Sequence, residues 1–136
     1  MTAVDTSVLL DVLLPDPVFG PDSKDRLRVH SQGGALVICE IVYAETSGLF
    51  PEQSLLDKFL EQSGIQVKPS SEETLWRAGQ MWKRYGLERP RHRHPELSRR
   101  IAGDFLIGAH ALLQADRLLT RDKGFYKAAF SGLSVV

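Results

Sequence analysis

Ile101 to Tyr126 reads IAGDFLIGAHALLQADRLLTRDKGFY. An acid, Asp104, stands near its start in a run that is otherwise small and apolar. Gly108, Ala111 and Ala115 recur at three- and four-residue spacing, so a helix carries them along one stripe. Side chains that small let the helix lie close against a sheet. Leu118 and Leu119 then make a short buried strand that ends in Thr120, Arg121 and Asp122. One acid thus sits in the first turns of a buried helix, and a second just beyond the following strand. A carboxylate in apolar surroundings needs a partner, and no Lys or Arg lies between Asp104 and Asp116. The partner must come from elsewhere in the chain.

A similar pattern opens the sequence. Thr2 to Val4 is a short apolar strand that stops at Asp5, and Ser7 to Leu14 continues as a helix with Val8, Leu9, Val12 and Leu13 apolar. Asp5 then lies at a strand's carboxyl end, the edge of a parallel sheet where ligands bind. Taken alone, a plain helix N-cap is the better account of Asp5, since Asp, Thr and Ser all favour that position. Pro15 to Pro21 reads as a loop and Asp22 to Gln32 as a charged helix closed by Gly33 and Gly34. Ala35 to Ile38 is a second strand, and Glu40 to Phe50 a helix. Within it Glu45 keeps company with Ile41, Val42, Ala44 and Leu49, which marks it as functional. Glu40, at the helix start, has the milder explanation of a favourable charge there.

Ser54 to Gln62 reads as an amphipathic helix with Leu55, Leu56, Phe59 and Leu60 inward, and Ile65 to Val67 as a third strand. Ser71 to Tyr85 is a helix with Leu75, Ala78, Met81 and Trp82 as its packing stripe, which is core rather than a cofactor box. The segment ERPRHRHPELSRR changes character: Arg89, Arg91, Arg93, Arg99 and Arg100 crowd a Pro-broken stretch just before the Asp104 helix. It reads either as a solvated loop or as a set of phosphate contacts. His92 and His94 lack a third metal ligand, and His110 reads as a packing histidine. Lys123 to Val136 holds a short helix and a closing strand, Leu133 to Val136. Alternating strands and helices give an α/β fold with a mainly parallel sheet.

Composition narrows the classes. The 136 residues are 43% hydrophobic and 25% charged, as in one soluble domain that buries roughly two-thirds of its unfolded surface. Seventeen basic and seventeen acidic residues leave no net charge, so any attraction to nucleic acid must be local. Cys39 is alone, which excludes an intrachain disulfide. The start carries Asp5 and Asp11 without a basic region, unlike a signal peptide, and no apolar run reaches membrane-spanning length. A cytoplasmic location is expected.

Four acids occupy comparable places: Asp5, Glu45, Asp104 and Asp122. Two follow strands and two lie in apolar helices, so one sheet edge can gather them. Two carboxylates about 5 Å apart repel by roughly 3 kcal/mol at an effective dielectric near 20. Such a cluster calls for protons or a cation. All-oxygen ligands select hard ions, so Mg²⁺ or Mn²⁺ is the expected guest.

The segments VDTSVLLDVL, YAETSGL, GDFLIGAHAL and LLTRDKGFY resemble, in that order, the motifs of PIN-domain ribonucleases. The likeness is greatest to the VapC-type toxins of bacterial toxin–antitoxin pairs. It implies one three-layer α/β/α PIN-like domain over residues 1–136 and metal-dependent hydrolysis of RNA. A homodimer and a cognate antitoxin are implied as well. By motif, Asp5, Glu45, Asp104 and Asp122 would be the catalytic, metal-binding acids, with Thr6 and Thr120 as accessory hydroxyls. Glu40 matches no motif position, and Pro51 to Pro95 carries no family signature.

Other readings fit less well. A phosphorylation-receiver domain wants an acid pair after the first strand, where Thr6 and Ser7 follow Asp5. A haloacid-type phosphatase wants a second Asp where Ser7 stands. No Gly-rich phosphate loop is present. A catalytically silent PIN-like adaptor would gain nothing from four mutually repelling acids.

Overall fold

The computed structural model of the chain describes residues 1–88 and 102–136. Strand β1 (Thr2–Val4) leads into α1 (Thr6–Leu13) and α2 (Gly20–Gln32), and β2 (Leu36–Ile38) into α3 (Glu40–Ser47) and α4 (Gln53–Gln62). Strand β3 (Ile65–Val67) precedes α5 (Glu72–Glu88) and α6 (Ala102–Gln114), and β4 (Arg117–Leu119) precedes α7 (Lys123–Ala129). The strands form one parallel sheet in the order β3-β2-β1-β4. Ala3 lies opposite both Val37 and Leu118, and Val4 opposite Leu119. Strands β1 and β2 are buried throughout, as the apolar runs of a sheet covered on both faces must be. At the edge, β3 buries only Ile65.

This order makes the crossovers turn back. Two steps run outward from β1 to β3, and the third returns past β1 to β4. Right-handed crossovers put α1 to α4 on one face and α5 with α6 on the other, which gives three layers. The reversal also opens a crevice between the carboxyl ends of β1 and β4, where ligands collect in such sheets. Asp5 and Thr120 stand on its two sides, one residue past each strand.

Helix α6 is seated by aromatic packing. Phe105, Phe125, Tyr126 and Phe130 meet with ring centroids 5.0–6.1 Å apart, and Tyr85 of α5 joins them. Gly108 lies directly against the Phe130 ring: a Cβ there would stand 2.4 Å from two of its carbons. The small-residue stripe thus makes room for a ring as well as for the sheet.

Several element ends and packing faces differ from the sequence reading. Helix α2 starts earlier, at Gly20, with Pro21 in the first turn, where its missing N–H costs nothing. Helix α3 stops at Ser47, with Gly48 as its C-cap, rather than running to Phe50. The closing strand shrinks to one bridge, Val135 to Leu118, although Leu118 donates to the Ser134 carbonyl and Val136 to the Leu118 carbonyl. Leu55, Leu75 and Trp82 are exposed rather than inward. The buried faces are narrower than expected: Leu56 and Leu60 carry that of α4, and Thr74, Ala78 and Met81 that of α5. Ser71 does open α5, its Oγ accepting from the Thr74 N–H at 3.1 Å. The arginine-rich stretch, with Arg89, Arg91, Arg93, Arg99, Arg100, His92 and His94, lies outside the described residues. Among the described residues no helix is long and apolar enough to cross a membrane.

Candidate active site

Asp5 occupies the N-cap position of α1, yet its side chain makes no capping bond. Instead Oδ2 accepts from the Thr120 hydroxyl at 2.6 Å and from the Ser7 hydroxyl at 2.7 Å. Neither bond uses Oδ1. The carboxylate is buried, at 5% exposure, and among the described residues it is held by hydroxyls rather than by a basic side chain. The parallel register makes this possible: the Asp5 N–H donates to the Leu119 carbonyl, which sets Thr120 beside Asp5.

Thr6 begins α1 and donates its hydroxyl to Glu45 Oε2. That bond ties α3 to the end of β1. Glu45 itself is exposed, which corrects the expectation that its apolar neighbours would bury it. Val42 and Thr46 turn inward in that helix, while Glu45 lies on the open side and Leu49 is exposed. Gly103 brings the first turn of α6 up to Glu45, since a Cβ there would stand 3.4 Å from Glu45 Oε1. Asp122 is exposed at the N-cap of α7, where its Oδ1 accepts from the Phe125 N–H at 3.4 Å. Its own N–H donates to Thr120 Oγ1 at 3.0 Å. Thr120, with no exposure at all, therefore links the first and last of the four acids.

Asp104 differs from the other three. Among the described residues it has neither a hydrogen-bond donor nor a basic partner. Burial, then the charges of Asp5, Glu45 and Asp122, push its carboxyl up to about 6. The structure thus brings the four acids within electrostatic reach of one another. Among the described residues, no three His, Cys, Asp or Glu side chains are gathered tightly enough to hold an ion as they stand. A donor set of carboxylate oxygens suits a hard divalent cation. Tyr126 Oη is also buried and has no hydrogen-bond partner among the described residues. Leaving such a hydroxyl unpaired costs about 1–3 kcal/mol. By donor chemistry alone, the carboxylates of Asp5, Glu45, Asp104 and Asp122 suit a hard divalent cation.

Two further acids have ordinary explanations. Burial works to raise the Glu40 pKa, but bonds at 2.9 Å from the Ser70 N–H and hydroxyl outweigh it and hold the carboxyl low. Glu40 is a structural clamp, as its place at the helix start indicated. Asp11 was not singled out from the sequence, although it too sits in an apolar helix. It is buried, accepts from Ser23 Oγ at 2.7 Å, and lies 3.4 Å from Arg121 Nη2. Arg121 also stacks over Phe19, 4.4 Å from the ring centre, so Asp11 braces α1 and α2 against the turn that carries Asp122. Ser7 and Tyr126 were missed as well. Ser7 carried a readable signal, a hydroxyl two residues after Asp5, whereas nothing in the pattern separated Tyr126 from a core aromatic. His110 is the packing histidine expected, its Nε2 donating to the Lys68 carbonyl at 2.7 Å.

No curated protein sequence matches the chain significantly. Among solved structures, the crystal structure of VapBC2 from Rickettsia felis bound to a DNA fragment from their promoter superposes with a TM-score of 0.69. That match covers 99% of this chain and 96% of the other, at 20% identity, and so speaks for the fold. The PIN domain matches residues 2–131, and on that match the chain belongs to the PIN-domain family.

Proposed function

We propose that this protein is a metal-dependent endoribonuclease that acts as the toxin of a type II toxin–antitoxin pair. The observation that carries the reading is Asp104: partnerless among the described residues, with its proton held by burial and by three neighbouring acids. A fold has little use for such a group unless a cation joins it. Asp5, Glu45, Asp104 and Asp122 would hold Mg²⁺ or Mn²⁺. The ion, when bound, supplies Lewis acidity that polarises a phosphodiester and makes water a better nucleophile.

The chain's own residues then do the positioning. Ser7 and Thr120 fix Asp5 through Oδ2, Thr6 fixes Glu45, and the Phe125 N–H steadies Asp122. Asp11 and Arg121 keep the Thr120–Asp122 turn in register with α1. Arg89, Arg91, Arg93, Arg99 and Arg100 precede α6 in the sequence and would meet RNA phosphates near its first turn. The likeness to a VapBC2 complex supports a cognate antitoxin as partner. A homodimer in the cytoplasm, built from one domain of residues 1–136, completes the reading.

Purified protein should cut a single-stranded RNA in Mg²⁺, and cutting should cease in EDTA or with Asp5→Asn. Induced expression of the chain alone should slow growth, with relief from the co-expressed antitoxin. Failure to cut any of a diverse RNA pool, with normal growth despite soluble expression, would return the protein to the silent-adaptor reading.

A further inference from the structure

Each of the four acids would need a donor to hold it steady, and three of them have one. Asp5 receives Ser7 and Thr120, Glu45 receives Thr6, and Asp122 receives the Phe125 N–H. Asp104 receives nothing among the described residues. Conversely, of the buried side-chain nitrogens and oxygens described, Tyr126 Oη alone has no partner. Its ring is 1% exposed and packed against Phe125 and Phe130, with centroids 5.0 and 6.1 Å away. Packing would be served as well by Phe, so the hydroxyl calls for a separate reason.

The surroundings of that hydroxyl supply the reason. Burial, followed by the charges of Asp5, Asp104, Asp122 and Glu45, drives its pKa far up. The same four acids therefore lie within electrostatic reach of Tyr126, and together with burial they favour the protonated hydroxyl, which can donate. We propose that Tyr126 is a positioning residue for the acid cluster, its hydroxyl donating to the carboxylate of Asp104 when a divalent cation draws that side chain into place. The inference rests on the metal-site reading. It assigns the one unpaired donor to the one unpaired acid. Carboxylates that ligate metals are themselves hydrogen-bonded, and losing such a bond commonly costs 10- to 100-fold in affinity.

Tyr126→Phe removes the hydroxyl and keeps the ring. Mn²⁺ binding to the full chain, followed by the EPR signal of the free ion, should weaken by about tenfold or more. Melting in EDTA should stay equal or rise, because the variant no longer buries an unpaired hydroxyl. In the parent, Mn²⁺ should also perturb the near-ultraviolet tyrosine band, and that change should vanish in Tyr126→Phe while Tyr43 and Tyr85 remain. Unchanged Mn²⁺ affinity in the variant overturns the proposal while leaving the metal site intact. Weakened affinity with a clearly lower melting point in EDTA marks a packing role and overturns it too. A parent that binds no Mn²⁺ removes the metal-site reading itself, and this inference with it.

Discussion

At the scale of single residues, Asp104 combines a usable titration with a functional role. Its carboxyl is raised from 3.8 to about 6, so the folded state holds that proton more tightly than the unfolded chain. Stability from the group is full below about pH 3.8 and is lost as pH rises through about 6. At neutral pH its charge burdens the metal-free fold by about 1–2 kcal/mol, allowing for the solvent that reaches a half-exposed group. Asp104→Asn should therefore melt higher than the parent in EDTA at pH 7, with the advantage shrinking toward pH 4. His110 works in the opposite sense, since burial lowers its pKa and it destabilises the fold as pH falls. Both proteins contain it, so the difference between their melting curves isolates Asp104. A variant that melts lower at every pH would make Asp104 a structural acid. Much of this site was legible in the sequence, because a charge inside an apolar run is visible without coordinates. The same sign could not tell Asp104 from Asp11, whose partners Ser23 and Arg121 lie 12 and 110 positions away. Nor could it show that Glu45 is exposed, which depends on how far α3 stands from its neighbours.

Among the elements, the strands and helices followed from periodicity, and their ends from Gly and Pro, to within a few residues. Packing faces were less legible. Leu75 and Trp82 fit a helical stripe, but both stand exposed, and Thr74, Ala78 and Met81 carry the buried face of α5. The smallness of Gly108 was visible, though the object it accommodates, the Phe130 ring, comes from the far end of the chain. Gly108→Ala tests that contact. Its new Cβ would stand 2.4 Å from ring carbons, so α6 or the Phe130 segment must shift, at a cost of about 1–3 kcal/mol. Because Asp104 rides on the same helix one turn earlier, cleavage should fall as well. Adding Phe130→Leu should recover part of the stability, by giving the methyl group room. Equal melting of Gly108→Ala and the parent would show that α6 does not bear on that ring.

For the molecule as a whole, the alternation of strands and helices made a parallel sheet legible, but not the order β3-β2-β1-β4, because strand order leaves no local trace. That order is what sets Asp5 beside Thr120. Charge must also be read at this scale: with seventeen residues of each sign, RNA attraction depends on where the arginines cluster. Replacing Arg91 and Arg93 together by Ala should lower the slope of log affinity against log salt by roughly 1.4 for single-stranded RNA, without moving the cut. An unchanged slope would make the segment an ordinary solvated loop.

The same balance governs stability. Four acids near one sheet edge, with no basic partner among the described residues, oppose folding until a cation arrives. A ligand that binds only the folded state adds RT ln(1 + [L]/Kd), about 2.7 kcal/mol at a hundred times Kd. For a chain of this length that is a rise of roughly 10 °C in melting temperature. Mg²⁺ or Mn²⁺ should produce a rise of this kind in the parent, growing with the logarithm of metal concentration, and NaCl at matched ionic strength serves as a control for mere charge screening. Asp5→Asn should lose most of it, since Asp5 is the acid whose position Thr120 and Ser7 fix most firmly. Screening alone predicts otherwise: the variant would respond as the parent does, and NaCl at matched ionic strength would suffice. Melting curves of both proteins across a metal titration separate the two. A parent indifferent to Mg²⁺ and Mn²⁺ beyond the NaCl control would mean that the acids are reconciled by protons alone.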